Sequence, residues 1–307
     1  MKNSLIIHIG FHKTATTTYQ KNVFPNISNH KFLGRDFNGV TSSSPLYQAI
    51  MEYCLSGDED PAQIKKIQAD LKKELEFNSL IISEEWFLSD YSGLFGFKGV
   101  CWQEKLTRLS QLINSLPHLI VVFVREPIDC LFSQYCEFQH VGINNYYKSF
   151  EDYVRNSNDA RAYDYKSLNN KINERFSDVT YVSFELLTNF SKSKKLFEQV
   201  IFKEKISTDY IEHQNTKKVE SECVIIEKRS KGTFASLYDL FVSYKVRRFL
   251  KDVKVLRLLK NYFYTYNVKE LTVSLDEKKE VEKVFDFADS VSFYKSIVLK
   301  ESNFESR

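Results

Sequence analysis

No stretch of this chain constrains its fold more than Leu5 to Gln20, LIIHIGFHKTATTTYQ. A short apolar run meets one glycine, then a lysine, then hydroxyl side chains at Thr14, Thr16, Thr17 and Thr18. That order reads as a strand, a tight turn and the start of a helix. Helix starts leave backbone N–H groups without intrahelical partners and carry the positive end of the helix dipole, so they are places where phosphate is held. Lys13 adds a full charge, and the threonines add hydroxyl donors. The spacing differs from the common ATP or GTP loop, which needs Gly, four residues, then Gly-Lys-Ser/Thr. Here Lys13 follows Gly10 by three positions, and Ala15 stands where a second glycine is expected. Glycine permits positive φ and close approach of backbone to a phosphate; alanine serves only with ordinary helical or β dihedrals, which is the expectation for Ala15.

Further apolar runs follow the first. Leu80 to Ser83 (LIIS), Leu119 to Val124 (LIVVFV) and Val179 to Val182 (VTYV) read as strands, and Lys31 to Leu33 before Gly34 as a short one. Helical stretches separate them: Thr16 to Phe24, halted near Pro25, then Gln103 to Ser115 and Tyr163 to Phe176. In Pro61 to Phe77 the apolar residues Ile64, Ile67, Leu71 and Leu75 fall at spacings of three and four, the mark of an amphipathic helix with proline in its first turn. Strands alternating with helices give an α/β fold with a parallel sheet covered on both faces. After Phe202 strands are hard to find and charge rises. Ser274-Leu275-Asp276-Glu277 is a capping box, opening a helix that reads on through Val284, Phe287 and Val291 to the end. The expectation is one domain over residues 1–307, with about 203–307 as a mainly helical C-terminal extension.

Composition narrows the function classes. A net charge of +3 gives no support for nucleic-acid binding, so an anionic partner has to be held by local clusters. The five cysteines are scattered, odd in number and without a C-x-x-C pair, which speaks against a disulfide framework or zinc site and for a reducing cytosol. The opening apolar run is too short, and too interrupted by His8, for a signal peptide, and no run approaches a membrane span.

In open parallel sheets, ligands collect beyond the carboxyl ends of the strands. The first strand is followed by His12, Lys13 and the threonines, the next long one by Glu84 and Glu85, and LIVVFV by Arg125, Glu126 and Pro127. Pro127 forces a turn before a helix begins near Asp129, and Ser133 lies one turn further on, able to face the same crevice as Arg125. A guanidinium with a hydroxyl is a second phosphate site. An ion pair of Arg125 with Asp129 or Glu126 is the plainer reading.

Two phosphate sites suggest a ligand phosphorylated at both ends, and here the chain resembles the sulfotransferases that use 3′-phosphoadenosine-5′-phosphosulfate (PAPS). Lys13-Thr14-Ala15-Thr16-Thr17 matches their K-[ST]-G-T-T loop except at Ala15. Arg125, Pro127, Ser133 and Tyr135 match the strand ending in R-x-P, with Ser eight residues after the Arg and Tyr soon after. IISEEWF is similar to the bacterial carbohydrate-type members, whose S-x-E pattern places the family's Glu at Glu85, and YVSFELL is similar to a later strand of the fold. The resemblance spans roughly residues 5 to 200.

The resemblance implies a P-loop-like three-layer fold and a mechanism. His12 through Thr18 cradle the 5′-phosphosulfate, and Arg125 and Ser133 take the 3′-phosphate. Lys13 neutralises charge on the departing 5′-phosphate, and Glu85 takes the acceptor's proton. No metal is called for. The acceptor is a small molecule or glycan, by hydroxyl or amine, and the enzyme is cytoplasmic. Glu85 is preferred to Glu84, since adjacent residues of one strand face opposite ways. His12 and His140 rank below Glu85 as bases, and His8, within the strand, reads as a packed histidine. A nucleotide-dependent kinase or NTPase and a non-catalytic nucleotide-binding module remain rivals.

Two basic features lie further on. Tyr244 to Lys260 forms a basic amphipathic pattern, read first as a helix packed on the core with a solvated basic face and second as a contact for membrane surfaces, acidic partners or glycans. Lys228-Arg229-Ser230-Lys231-Gly232 is faintly similar to the family's late loop over the 3′-phosphate.

Overall fold

The structure, a computed structural model, describes residues 3–35, 44–56, 60–90, 100–139, 142–143, 146–208, 219–220, 223–231 and 266–305. The continuous apolar runs become strands buried on both faces. β1 (Leu5–Gly10), β2 (His30–Leu33), β3 (Ser79–Glu84), β4 (His118–Val124) and β5 (Val179–Ser183) form one parallel sheet in the order β2-β3-β1-β4-β5. Because successive side chains of a strand point to opposite faces, one run feeds two cores. Leu5, Ile7, Ile9, Ile120, Val122 and Val124 enter one cluster; Ile6, Ile81, Val121 and Phe123 enter the other.

Helices cover both faces. α1 (Thr16–Asn22) gives way at Val23 to a tight turn over Phe24–Asn26, so it ends a residue or two before the expected limit, where Pro25 cannot continue it. α2 (Pro45–Ser56) is followed by α3 (Pro61–Phe77), whose limits are those read from the sequence. The Asp60 side chain caps α3 by accepting from the Ala62 amide at 2.9 Å, with Pro61 in the first turn. Ile67 and Leu71 are fully buried, each contributing roughly 1.5–3 kcal/mol of hydrophobic stabilisation. α4 (Trp102–Ile113) and α5 (Pro127–Phe138) flank β4, and α5 begins two residues before Asp129, because the Glu126 carboxylate caps it at the Asp129 amide, 2.7 Å away. Short helices α6 (Phe150–Asn156), α7 (Asn158–Arg161), α8 (Tyr165–Asn173), α9 (Phe184–Thr188) and α10 (Phe190–Leu196) complete the layers.

Beyond Phe202 the structure has strands as well as helices. β6 (Val219–Glu220), β7 (Cys223–Lys231) and β8 (Tyr266–Ser274) make an antiparallel sheet. Lys228 to Lys231 therefore belongs to a strand rather than a loop. The basic segment 244–260, Gly232 and His140 lie outside the described residues.

Ser274 caps α11 (Leu275–Val284) by accepting from the Asp276 amide at 3.1 Å, one residue before the amide a capping box uses, and Glu277 does not reach back to it. Its carboxylate accepts the Phe150 amide at 3.0 Å, tying α11 to α6. The expected single terminal helix is broken at Phe285, whose backbone is extended, and resumes as α12 (Ala288–Glu305). Glu301 of α12 accepts from the Ser183 amide at 2.8 Å, fixing this helix at the carboxyl end of β5.

Candidate active site

The strand order sets the place of the site. From β1 the chain moves to β2 and β3 on one side of the sheet, and from β4 to β5 on the other. The crevice at the carboxyl ends of β1 and β4 is thus the topological switch point, where ligands of open α/β sheets bind. The loop after β1 and the segment after β4 meet there: Arg125 Nη1 donates to the Lys13 carbonyl at 3.4 Å, and the Cys130 thiol to the His12 carbonyl at 3.3 Å.

The β1–α1 loop is wound tightly. Lys13 has φ 70° and Ala15 φ 65°, both left-handed. This corrects the expectation of ordinary dihedrals at Ala15. The position needs the conformation glycine supplies freely, and the alanine adopts it at roughly 1–2 kcal/mol of strain. The surrounding bonds hold it there. Thr14 Oγ1 donates to the Phe11 carbonyl at 2.7 Å and lies 3.2 Å from Thr16 Oγ1, while the Ala15 carbonyl accepts from the amides of Thr18 and Tyr19. Thr14, Thr16 and Thr18 are buried, so the Thr14 and Thr16 hydroxyls brace the loop; Thr17 and Lys13 are half-buried. Amides in such alternating turns converge on a concave anion site.

Lys13 has a partner the sequence reading missed: its Nζ lies 2.6 Å from Glu137 Oε2. Glu137 sits on α5 one turn beyond Ser133, so both residues share the face of α5 that borders the loop. Their spacing of four on a helix was the available signal.

The acids weighed as partners for Arg125 are committed elsewhere. Glu126 caps α5 and Asp129 pairs with Lys278 of α11. Arg125 stacks 4.6 Å from the centre of the Phe184 ring, its carbonyl accepts the Tyr165 hydroxyl at 2.6 Å, and no acid pairs with it among the described residues.

Glu84 and Glu85 are both buried, which corrects the argument that only one could face inward. Glu84 ends β3 and Glu85 begins a 3-10 turn over Glu85–Leu88, so strand alternation stops between them. Both meet Arg35, a residue absent from the sequence reading although it follows β2 as Arg125 follows β4. Arg35 Nη2 and Nε reach Glu84 at 2.7 and 3.3 Å, and Nη1 reaches Glu85 Oε1 at 2.8 Å. Glu84 also accepts from the Tyr47 hydroxyl and the Trp86 amide, which makes it a structural anchor. Glu85 lies 3.3 Å from His12 Nδ1. Burial pushes the Glu85 carboxyl up, but the charges of His12 and Arg35 outweigh it and hold the group well below the usual carboxylate range. His12 is wedged edge-on between Trp86 and Phe138. His8 is packed against Phe24 and Phe123 and bonded to Ser83 Oγ at 2.7 Å; burial lowers its pKa to about 3, so it stays neutral.

No family model and no curated protein matches the chain. A crystal structure of a sulfotransferase from Alicyclobacillus acidocaldarius is similar over 70% of this chain and 86% of its own, with 11% identity and a TM-score of 0.40.

Behind Glu85 a buried polar network fixes the following segment. Asp159 accepts from Ser89 Oγ and Gln134 Nε2, each at 3.1 Å, and from the Asp90 amide, while Lys105 donates to the Ser89 carbonyl. Burial, with the Asp90 charge, raises the Asp159 carboxyl to about 7. The network joins the end of the 3-10 turn to α5.

Proposed function

We infer that this protein transfers a sulfuryl group from PAPS to a hydroxyl or amine of a small-molecule or carbohydrate acceptor. The observation that carries the reading is the meeting of the β1–α1 loop and the segment after β4 at the switch point, joined by the Arg125–Lys13 contact. One segment offers Lys13 and turned backbone amides; the other offers Arg125 and Ser133. A nucleotide with phosphate at its 5′ and 3′ positions matches both.

In this reading the acceptor oxygen or nitrogen bonds to sulfur as the bond from sulfur to the 5′-phosphate oxygen breaks, and the electron pair leaves with the phosphate. Lys13 and the loop amides stabilise that growing charge. The acceptor's proton passes to Glu85, oriented by Arg35 and His12; because their charges weaken it as a base, Glu85 accepts the proton only as the sulfur bond forms and the acceptor's acidity rises. His12, in the same loop, lines the donor site with Thr14 to Thr18.

The test is transfer of labelled sulfate from PAPS to a panel of sugars, phenols and amines. Labelled product is expected for at least one acceptor, with loss of at least ~100-fold in Lys13→Ala. Binding of the bisphosphate with no transfer to any acceptor would favour the non-catalytic module instead.

A further inference from the structure

The proposed donor chemistry needs the Lys13 ammonium, yet in this structure a carboxylate of the chain itself holds it. Nζ and Glu137 Oε2 are 2.6 Å apart, within the range of a strong charge-assisted bond. The two partners differ in exposure. The Lys13 side chain is 13% exposed and that of Glu137 36%, so the lysine is the inner partner and the glutamate stands toward solvent. They also differ in place: Lys13 lies in a strained left-handed turn with its carbonyl held by Arg125, whereas Glu137 projects from α5. Glu137 is thus the outer partner, the one that an anion arriving from solvent meets first.

We propose that Glu137 is the internal counter-ion of the donor site: it neutralises Lys13 until an anion of sufficient charge displaces it. This rests on the sulfuryl-transfer reading and adds a selectivity device to it. Both the 2.6 Å pair and the shared face with Ser133 point that way. A ligand spanning Arg125, Ser133 and Lys13 passes over the face of α5 that carries Glu137. A singly charged anion gains little by exchanging with a carboxylate already in place. A phosphate or phosphosulfate, with more charge and more acceptor oxygens, gains the lysine and the loop amides together. The site thereby rejects abundant small anions without losing its intended ligand.

Titration calorimetry on the full chain tests this with two probes, 3′,5′-bisphosphoadenosine and inorganic pyrophosphate, at physiological salt. Glu137→Gln, which keeps the side chain's shape and removes its charge, is expected to tighten both by about tenfold, and Glu137→Asp to stay nearer the wild type. Glu76→Gln removes an exposed acid near the end of α3, which leads into the amino end of β3, and controls for net charge alone; it is expected to change either affinity less than twofold, since screening removes most distant effects. Unchanged or weaker binding by Glu137→Gln, or an equal gain in Glu76→Gln, overturns the proposal. If pyrophosphate tightens as expected while no variant binds the bisphosphate, the counter-ion role stands and the PAPS reading fails. If neither probe binds Glu137→Gln, both fall.

Discussion

Replacing Ala15 by glycine separates strain in the loop from its chemistry. At φ 65° and ψ 10° the alanine Cβ crowds its neighbouring carbonyl, at about 1–2 kcal/mol relative to a residue without Cβ. Glycine removes that term but gives the unfolded chain more freedom, which costs about 0.4–1 kcal/mol. The Ala15 methyl also packs against the smaller core, and its partial loss costs up to ~0.8 kcal/mol, so the variant is expected to be neutral or more stable by about 0.5 kcal/mol. Ala69→Gly supplies the contrast, because Ala69 is exposed in the middle of α3 and its replacement is expected to cost about 0.5–1 kcal/mol. Urea denaturation of the two variants beside the wild type reads the difference directly. Ala15→Gly should hold or raise the midpoint and Ala69→Gly lower it, at unchanged slope. If both fall by similar amounts, Ala15 is not left-handed, and the concave arrangement of loop amides loses its basis.

Other consequences follow from the same contacts. Arg125→Ala should weaken 3′,5′-bisphosphoadenosine by about 10- to 100-fold, from a charged hydrogen bond of roughly 1.5–3 kcal/mol, while AMP binding stays within about twofold; equal loss for both would make Arg125 structural. Asp159, raised from 3.8 to about 7, binds a proton in the folded state that the unfolded chain has released. Its contribution is therefore present in full below about pH 4 and lost as pH rises to about 7, on the order of 1–4 kcal/mol, and Asp159→Asn should flatten that part of a stability–pH profile. Glu85 has the opposite sign, since its folded pKa is depressed: its contribution is present above the ordinary carboxylate range and lost on acidification, and Glu85→Gln should remove an acid-side loss seen in the wild type.

The sheet was legible because burial on both faces leaves strands as unbroken apolar runs, and α3 because Asp60 and Pro61 mark its start and an apolar stripe runs to its end. β7 and β8 were not, since their pairing joins residues some forty positions apart and their sequences mix charges with β-branched residues. At the site, position after a strand pointed to Lys13, Arg125 and the acid pair. What it could not convey was which charges neutralise one another. Arg35 and Glu137 come from elements distant in sequence, and only the assembled crevice shows the first beside Glu84 and Glu85 and the second on Lys13. The inward turn of both glutamates was hidden for a local reason, the change from strand to 3-10 turn between them.

The most direct measurement of the central claim is calorimetric titration of the wild-type chain with 3′,5′-bisphosphoadenosine, AMP and ATP under one set of conditions. With Lys13 and Arg125 serving separate phosphates, the bisphosphate should bind at least ~10-fold more tightly than either of the others, by roughly the 1.5–3 kcal/mol of one charged contact. Comparable affinity for all three would contradict the account, and tighter binding of ATP would move the reading to a kinase or NTPase.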